Sequence, residues 1–364
     1  MDYTARCLRT FIGIVIMVLL VPTNVWSKDF TPDIRPGVGV TEQRKISDYF
    51  APLKDSNLDT DVFILDSGKP GATALLIGGT HGNELAGQVA ALVTVENAVL
   101  KSGKLFVIPQ INRSALSMND TRKHIKQKHL IKSRSGERYL YYGDRRTDPQ
   151  DQGSNDPDSY INPVGYKLKN GAESRNLNRT YPGDPEGTMT EKLAFAIMNL
   201  IRQEKIDFSL DMHEADTPEK YTTGDGKYSA GRNKRLAYTL VAHPSGLEMG
   251  AYALLSMEED TNISMKLEQS NAKFRGISHL EMGTGTGNLS FLSESPNPGQ
   301  DRWRKNPDVI KDEKYPLTHR VAMHLRLFKH LADNYAELND EDIEIDNLPE
   351  YKQLMNGDIG QFLN

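Results

Sequence analysis

Cysteine is nearly missing from this chain: 364 residues carry one, Cys7. It precedes the apolar stretch at residues 11–21, where it cannot serve as a lipid-carrying cysteine, and nothing past residue 27 replaces it. That excludes a cysteine nucleophile, a cysteine-rich zinc site and disulfides, and it permits export into an oxidising compartment. An excess of positive charge is missing too. Lys and Arg number 44 against 49 Asp and Glu, a formal net charge of -5, which excludes a nucleic-acid binder held by charge. Internal repeats are absent, and the apolar stretch at 11–21 is shorter than the roughly 20 residues a membrane span needs.

Arg6 and Arg9, the stretch at 11–21 and then Asn24-Val25-Trp26-Ser27 before Lys28 have the pattern of a secretory signal peptide over residues 1–27. The expected product is exported, periplasmic or extracellular, without stable membrane insertion. With 38% hydrophobic residues the remainder has ample length for a large core. Residues 61–65, 74–77 and 105–108 are short apolar runs that predict strands, and residues 84–100 have helical spacing. Strand, helix, strand predicts a mostly parallel, covered sheet. Residues 117–171 are polar and lack sustained periodicity, which suggests an insertion of the kind that borders enzyme sites. Residues 190–204 and 317–338 predict amphipathic helices, residues 278–283 a late strand, residues 293–316 a loop, and residues 339–364 an acidic, solvated tail. The domain reading is thus a signal peptide at 1–27, one catalytic domain at 28–338 and the tail.

The most informative motif is His81-Gly82-Asn83-Glu84, where residues 74–77 break into Gly78-Gly79-Thr80. Zinc in catalytic sites commonly keeps three protein ligands, and two His plus one Glu is a recurrent set. Asp211-Met212-His213, at the end of the apolar run 206–210, supplies a third candidate, so His81, Glu84 and His213 would hold one Zn2+ per chain. Asp211, two residues before His213, is either an orienting partner or a capping carboxylate. The segment from Glu173 to Asp184 packs Arg175, Asn176, Asn178 and Arg179 around Leu177. It suits carboxylate recognition by a guanidinium and an amide, and an ordinary polar loop is the alternative.

In order, His81-x-x-Glu84, Arg175-Asn-Leu-Asn178-Arg179-Thr-Tyr-Pro182-Gly183-Asp184, Glu191-Lys-Leu193-Ala, Asp211-Met-His213 and Glu281 resemble the succinylglutamate desuccinylase/aspartoacylase group within the zinc carboxypeptidase superfamily. The resemblance covers roughly residues 61–285. It implies a single α/β domain with a mostly parallel mixed sheet flanked by helices. It also implies that His81, Glu84 and His213 are zinc ligands and Glu281 the general base. Asn178 and Arg179 then bind a substrate carboxylate, and Arg175 helps polarise the scissile carbonyl. Two departures stand out. Asn176 occupies the place of an Asp expected to orient His81, and no sizeable β-rich segment follows residue 316. The expected activity is hydrolysis of an amide next to a carboxylate-bearing residue. The leading expectation is a metallocarboxypeptidase on peptides; the alternatives are an N-acyl amino acid deacylase or an inactive secreted binding protein. Tyr221, Tyr228, Tyr238 and Tyr252 all fall where a substrate-contacting Tyr would lie, with nothing to choose among them.

Overall fold

Four apolar runs form the middle of one sheet because both of their faces are covered. In the computed structural model, which describes residues 30–118, 125–219 and 236–364 and the backbone of the short strands Tyr221–Thr222 and Tyr228–Ser229, this sheet has eight strands. They are β1 (Glu42–Lys45), β2 (Asp61–Asp66), β3 (Thr73–Ile77), β4 (Lys104–Ile108), β5 (Phe208–Asp216), β6 (Thr239–Ala242), β7 (Lys266–Gln269) and β8 (Leu289–Asn297). Their order is β1-β2-β4-β3-β5-β8-β6-β7. The central β4, β3, β5 and β8 are mutually parallel, and β2 and β6 join them antiparallel. The α/β fold with a mixed sheet is therefore the one expected. The signal-peptide segment lies outside the described residues.

Helices α1 (Leu85–Asn97), α3 (Leu247–Thr261) and α5 (Leu317–Asn339) cover one face; α2 (Met189–Gln203) and α4 (Ser278–Thr286) cover the other. α2 starts on a capping box, with the Thr188 hydroxyl accepting from the Glu191 N–H and the Glu191 carboxylate from the Thr188 N–H. α1 lies close to β5 because residue 87 is glycine: a Cβ there would stand 2.3 Å from the Met212 carbonyl oxygen. Gly79, at φ +75°, makes the turn that carries the chain from β3 to His81.

Three expectations are corrected. Residues 278–283 open helix α4 instead of forming a strand, with their first turn buried against the sheet. The expected loop at 293–316 begins inside β8, a central strand that runs to Asn297. Residues 339–364 are no solvated tail: Ile345–Asp346 pairs with Val99–Leu100, and Leu354, Ile359 and Leu363 are buried in the core. Burying those three apolar side chains supplies a driving force that the acidic composition of 339–346 hides. The insertion at 117–171 contains a hairpin, Lys128–Ser133 with Gly136–Tyr141, tied to α1 by the buried Arg138–Glu96 ion pair at 2.7 Å. Among the described residues no helix is long and apolar enough to cross a membrane.

Candidate metal centre

Open parallel sheets collect ligands beyond the carboxyl ends of their strands, and the candidate residues gather there. His81 and Glu84 follow β3 on the turn into α1, and His213 stands near the end of neighbouring β5. All three are buried, and their ligand atoms lie within 4.8 Å of one another. The Nδ1 atoms of the two imidazoles approach to 3.2 Å. Glu84 sits between them, with Oε1 2.7 Å from His81 Nδ1 and Oε2 2.8 Å from His213 Nδ1.

The far side of each ring has an oxygen. His81 Nε2 lies 2.9 Å from Asn176 Oδ1, and His213 Nε2 lies 2.9 Å from Asp211 Oδ2. Asp211 also accepts from the Thr80 hydroxyl at 2.8 Å. With protons held on both Nε2 atoms, two Nδ1 lone pairs and one carboxylate converge. That donor set and spacing fit a divalent cation of the zinc type.

The electrostatics follow from this crowding. Burial pushes the Glu84 carboxyl up, but the two histidines outweigh it and hold it well below its usual range. Burial and the nearby Arg145 lower His81 to about 4. Burial pulls His213 down as well, yet Asp211 and Glu84 on either side raise it well above an ordinary histidine.

The remaining candidates are distributed differently from expectation. Arg179 is half-buried, with its guanidinium 4.9 Å over the Phe274 ring, and burial and Arg145 lower it to about 10, so it stays charged at neutral pH. Asn178 precedes it, its Oδ1 accepting from the Ser278 N–H at 2.8 Å, which leaves its Nδ2 to offer. Arg175 points elsewhere: its fork grips Asp156 at 2.7 and 2.9 Å and its Nη1 donates to the Thr147 carbonyl at 2.6 Å. Glu281 is held by Arg275 through both oxygens at 2.6 Å, with the Gly276 N–H at 2.9 Å.

Two residues at the centre carry no expectation from sequence. Arg145, from the insertion, donates to Glu84 Oε1 at 3.1 Å and keeps 28% of its side chain exposed. Glu294, on β8, is the register partner of His213 and therefore shares its face of the sheet. Glu294 is half-buried, its Oε2 has no partner among the described residues, and burial beside the Glu84 charge raises it to about 8. A signal for it existed: Glu294 is the only charged residue between Met282 and Gln300.

No family model matches the chain. It is similar to an N-alpha-acetyl-L-2,4-diaminobutyric acid deacetylase of Halomonas elongata, 27% identical over 146 residues, 39% of this chain and 28% of that one. Among solved structures it resembles the cell shape determinant protein Csd4 of Helicobacter pylori, with a TM-score of 0.50 at 14% identity over 82% of this chain and 58% of that one. A succinylglutamate desuccinylase from Silicibacter sp. TM1040 aligns with a TM-score of 0.43 at 16% identity, over 80% of this chain and 64% of that one. The chain shares its α/β fold with Csd4, and its structural neighbours include succinylglutamate desuccinylase/aspartoacylase proteins. It spans 28% of the curated relative and less than two thirds of these solved chains.

Proposed function

We propose that this chain hydrolyses an amide bond next to a carboxylate-bearing residue, using one Zn2+ held by His81, Glu84 and His213. The observation that carries this reading is the convergence of both Nδ1 atoms on Glu84, with the unpartnered carboxylate of Glu294 in register beside His213. Zinc bound there would polarise a carbonyl oxygen and acidify a water. Glu294 accepts the proton of the attacking water and returns it to the leaving nitrogen, the role that the family resemblance gave to Glu281. Its raised pKa suits a group that must bind a proton and release it. Glu281, gripped by Arg275, instead anchors the first turn of α4. Arg145, beside Glu84 and partly exposed, faces the developing negative charge on the carbonyl oxygen, the role first expected of Arg175.

Arg179 and the Nδ2 of Asn178 hold the substrate carboxylate. Two guanidiniums, Arg145 and Arg179, stand close enough that one depresses the other, an arrangement that favours an anionic ligand between them. Peptides with a free C terminus and N-acyl amino acids both present a carboxylate beside an amide. The resemblance to the Halomonas deacetylase favours the acyl amino acid, and the expected leader at residues 1–27 would make the enzyme an exported one.

The test is amine release by zinc-loaded protein from N-acyl amino acids and peptides, each with a free or an amidated carboxyl group. We expect turnover only with the free carboxylate, and Arg179→Ala should lower kcat/KM by roughly 10²-fold or more, as for a charged hydrogen-bonded contact of about 3 kcal/mol. Equal rates on amidated substrates would contradict the role of Arg179. Cleavage of peptides alone would move the substrate to the carboxypeptidase class.

A further inference from the structure

Asn176 stands where a carboxylate would ordinarily orient a zinc-bound histidine, and it is fully buried. Its amide is fixed at both ends. The Nδ2 donates to Glu173 Oε2 at 2.8 Å, which turns Oδ1 toward His81 Nε2 at 2.9 Å, and the same Oδ1 accepts from the Asn178 N–H at 3.2 Å. Behind it, Glu173 Oε1 accepts from Arg146 Nη2, and Arg179 Nε lies 3.8 Å from Glu173 Oε2. Burial pushes the Glu173 carboxyl up, but Arg146 and Asn176 outweigh it, so it remains an anion.

We propose that Glu173 is a positioning residue that supplies, through the Asn176 amide, the negative charge this site lacks at position 176. It holds the His81 ring in the Nε2–H form and braces Arg179 from the same carboxylate. This deepens the hydrolase reading and rests on it for the metal. The donors converge on Glu173: His81 N–H to Asn176 and Asn176 N–H to Glu173 from one side, Arg146 N–H to Glu173 from the other. Each link has a donor facing an acceptor.

That directionality makes the proposal testable by exchange. Glu173→Gln must turn its own NH2 toward either Arg146 or the Asn176 amide, so one contact becomes donor against donor. Asn176→Asp installs a carboxylate against Glu173 across a 2.8 Å contact. The double variant Asn176→Asp/Glu173→Gln restores the matches with Arg146, position 176 and His81, though not the brace on Arg179, since the NH2 introduced at position 173 donates to the carboxylate introduced at position 176, while the amide oxygen at 173 accepts from Arg146. The measurements are the Zn2+ dissociation constant by chelator competition and the His81 ring 15N shifts of metal-free protein.

Each single variant should weaken Zn2+ binding by about 10- to 100-fold, the usual effect of losing a partner behind a metal ligand, and the double variant should return to within a few-fold of wild type. Wild type and the double variant should show the Nε2–H form of His81, and the single variants should lose it. A double variant whose loss is the product of the two single losses, or single variants indistinguishable from wild type, would overturn the proposal. If a single variant does not fold, folding of the double variant supports the exchange and its failure to fold opposes it. Should wild type bind no Zn2+, the hydrolase reading fails, while the 15N shifts still decide the role of Glu173.

Discussion

What a carboxylate can do depends on what already occupies its oxygens. Glu281 has Arg275 on both oxygens and a backbone N–H on one, whereas Glu294 leaves Oε2 without a partner and stands beside His213. The two therefore respond differently to the same isosteric change. Glu294→Gln should lower kcat by roughly 10²- to 10⁴-fold with zinc still bound, as expected for loss of a general base. Glu281→Gln should leave most of kcat and reduce stability by about 1–2 kcal/mol, because Arg275 is partly exposed and the ion pair is partly screened. Steady-state kinetics with metal analysis and urea denaturation of both variants separate the roles. Arg145 was invisible for a related reason: it comes from an aperiodic insertion, and only the folded chain brings it to Glu84.

Among the elements, β3 and β5 could be read from sequence because each contains an apolar run that leads into motif residues, on the turn after β3 and within the strand in β5. The same holds for α2 and α5, whose apolar spacing is plain. Strand β8 could not. Both of its faces are covered, so no apolar-polar alternation marks it, and it brings Ser290, Ser293 and Ser295 into the core. Those hydroxyls are tolerated only through distant partners: His324 of α5 pairs with Ser293 Oγ at 2.8 Å and Ser295 Oγ at 3.1 Å. Burial lowers His324 to about 3, so it serves as a neutral ring with one donor and one acceptor. His324→Leu strands the Ser293 hydroxyl, while Ser295 keeps Glu214 Oε1 at 3.2 Å, and should cost roughly 1–3 kcal/mol in chemical denaturation, with activity falling as the register of Glu294 against His213 loosens. α4 misled for the opposite reason. Its short apolar content around Leu280 and Met282 resembles a strand, and its helical start depends on the Asn178 side chain capping the Ser278 N–H from 100 residues away. The docked segment at 339–364 likewise needs contacts with α1 and the hairpin that its own composition does not announce.

For the molecule as a whole, the centre concentrates charge that a bound cation would relieve. Zinc at 100 times its dissociation constant should stabilise the fold by about 2.7 kcal/mol, so chelation should lower the melting temperature. The metal-free protein has a defined pH signature. Glu294 titrates near 8 in the fold against 4.5 as its ordinary value, so between those values the folded state holds a proton that the unfolded state has released. Stability from this group is complete below about 4.5 and is lost as pH rises toward 8. Metal-free Glu294→Gln should therefore gain on wild type across that window, measured as the difference in unfolding free energy at several pH values. A constant difference would mean that Glu294 does not titrate there.

In the proposed reaction the His81, Glu84 and His213 centre and Glu294 act together in amide hydrolysis. The most direct test is metal content and turnover on a free-carboxylate N-acyl amino acid and a matched peptide, for wild type and Glu294→Gln. One zinc per chain in both proteins, with turnover in wild type alone, is the predicted result. Full activity in Glu294→Gln, or turnover unchanged after His81→Ala removes the zinc, would contradict it.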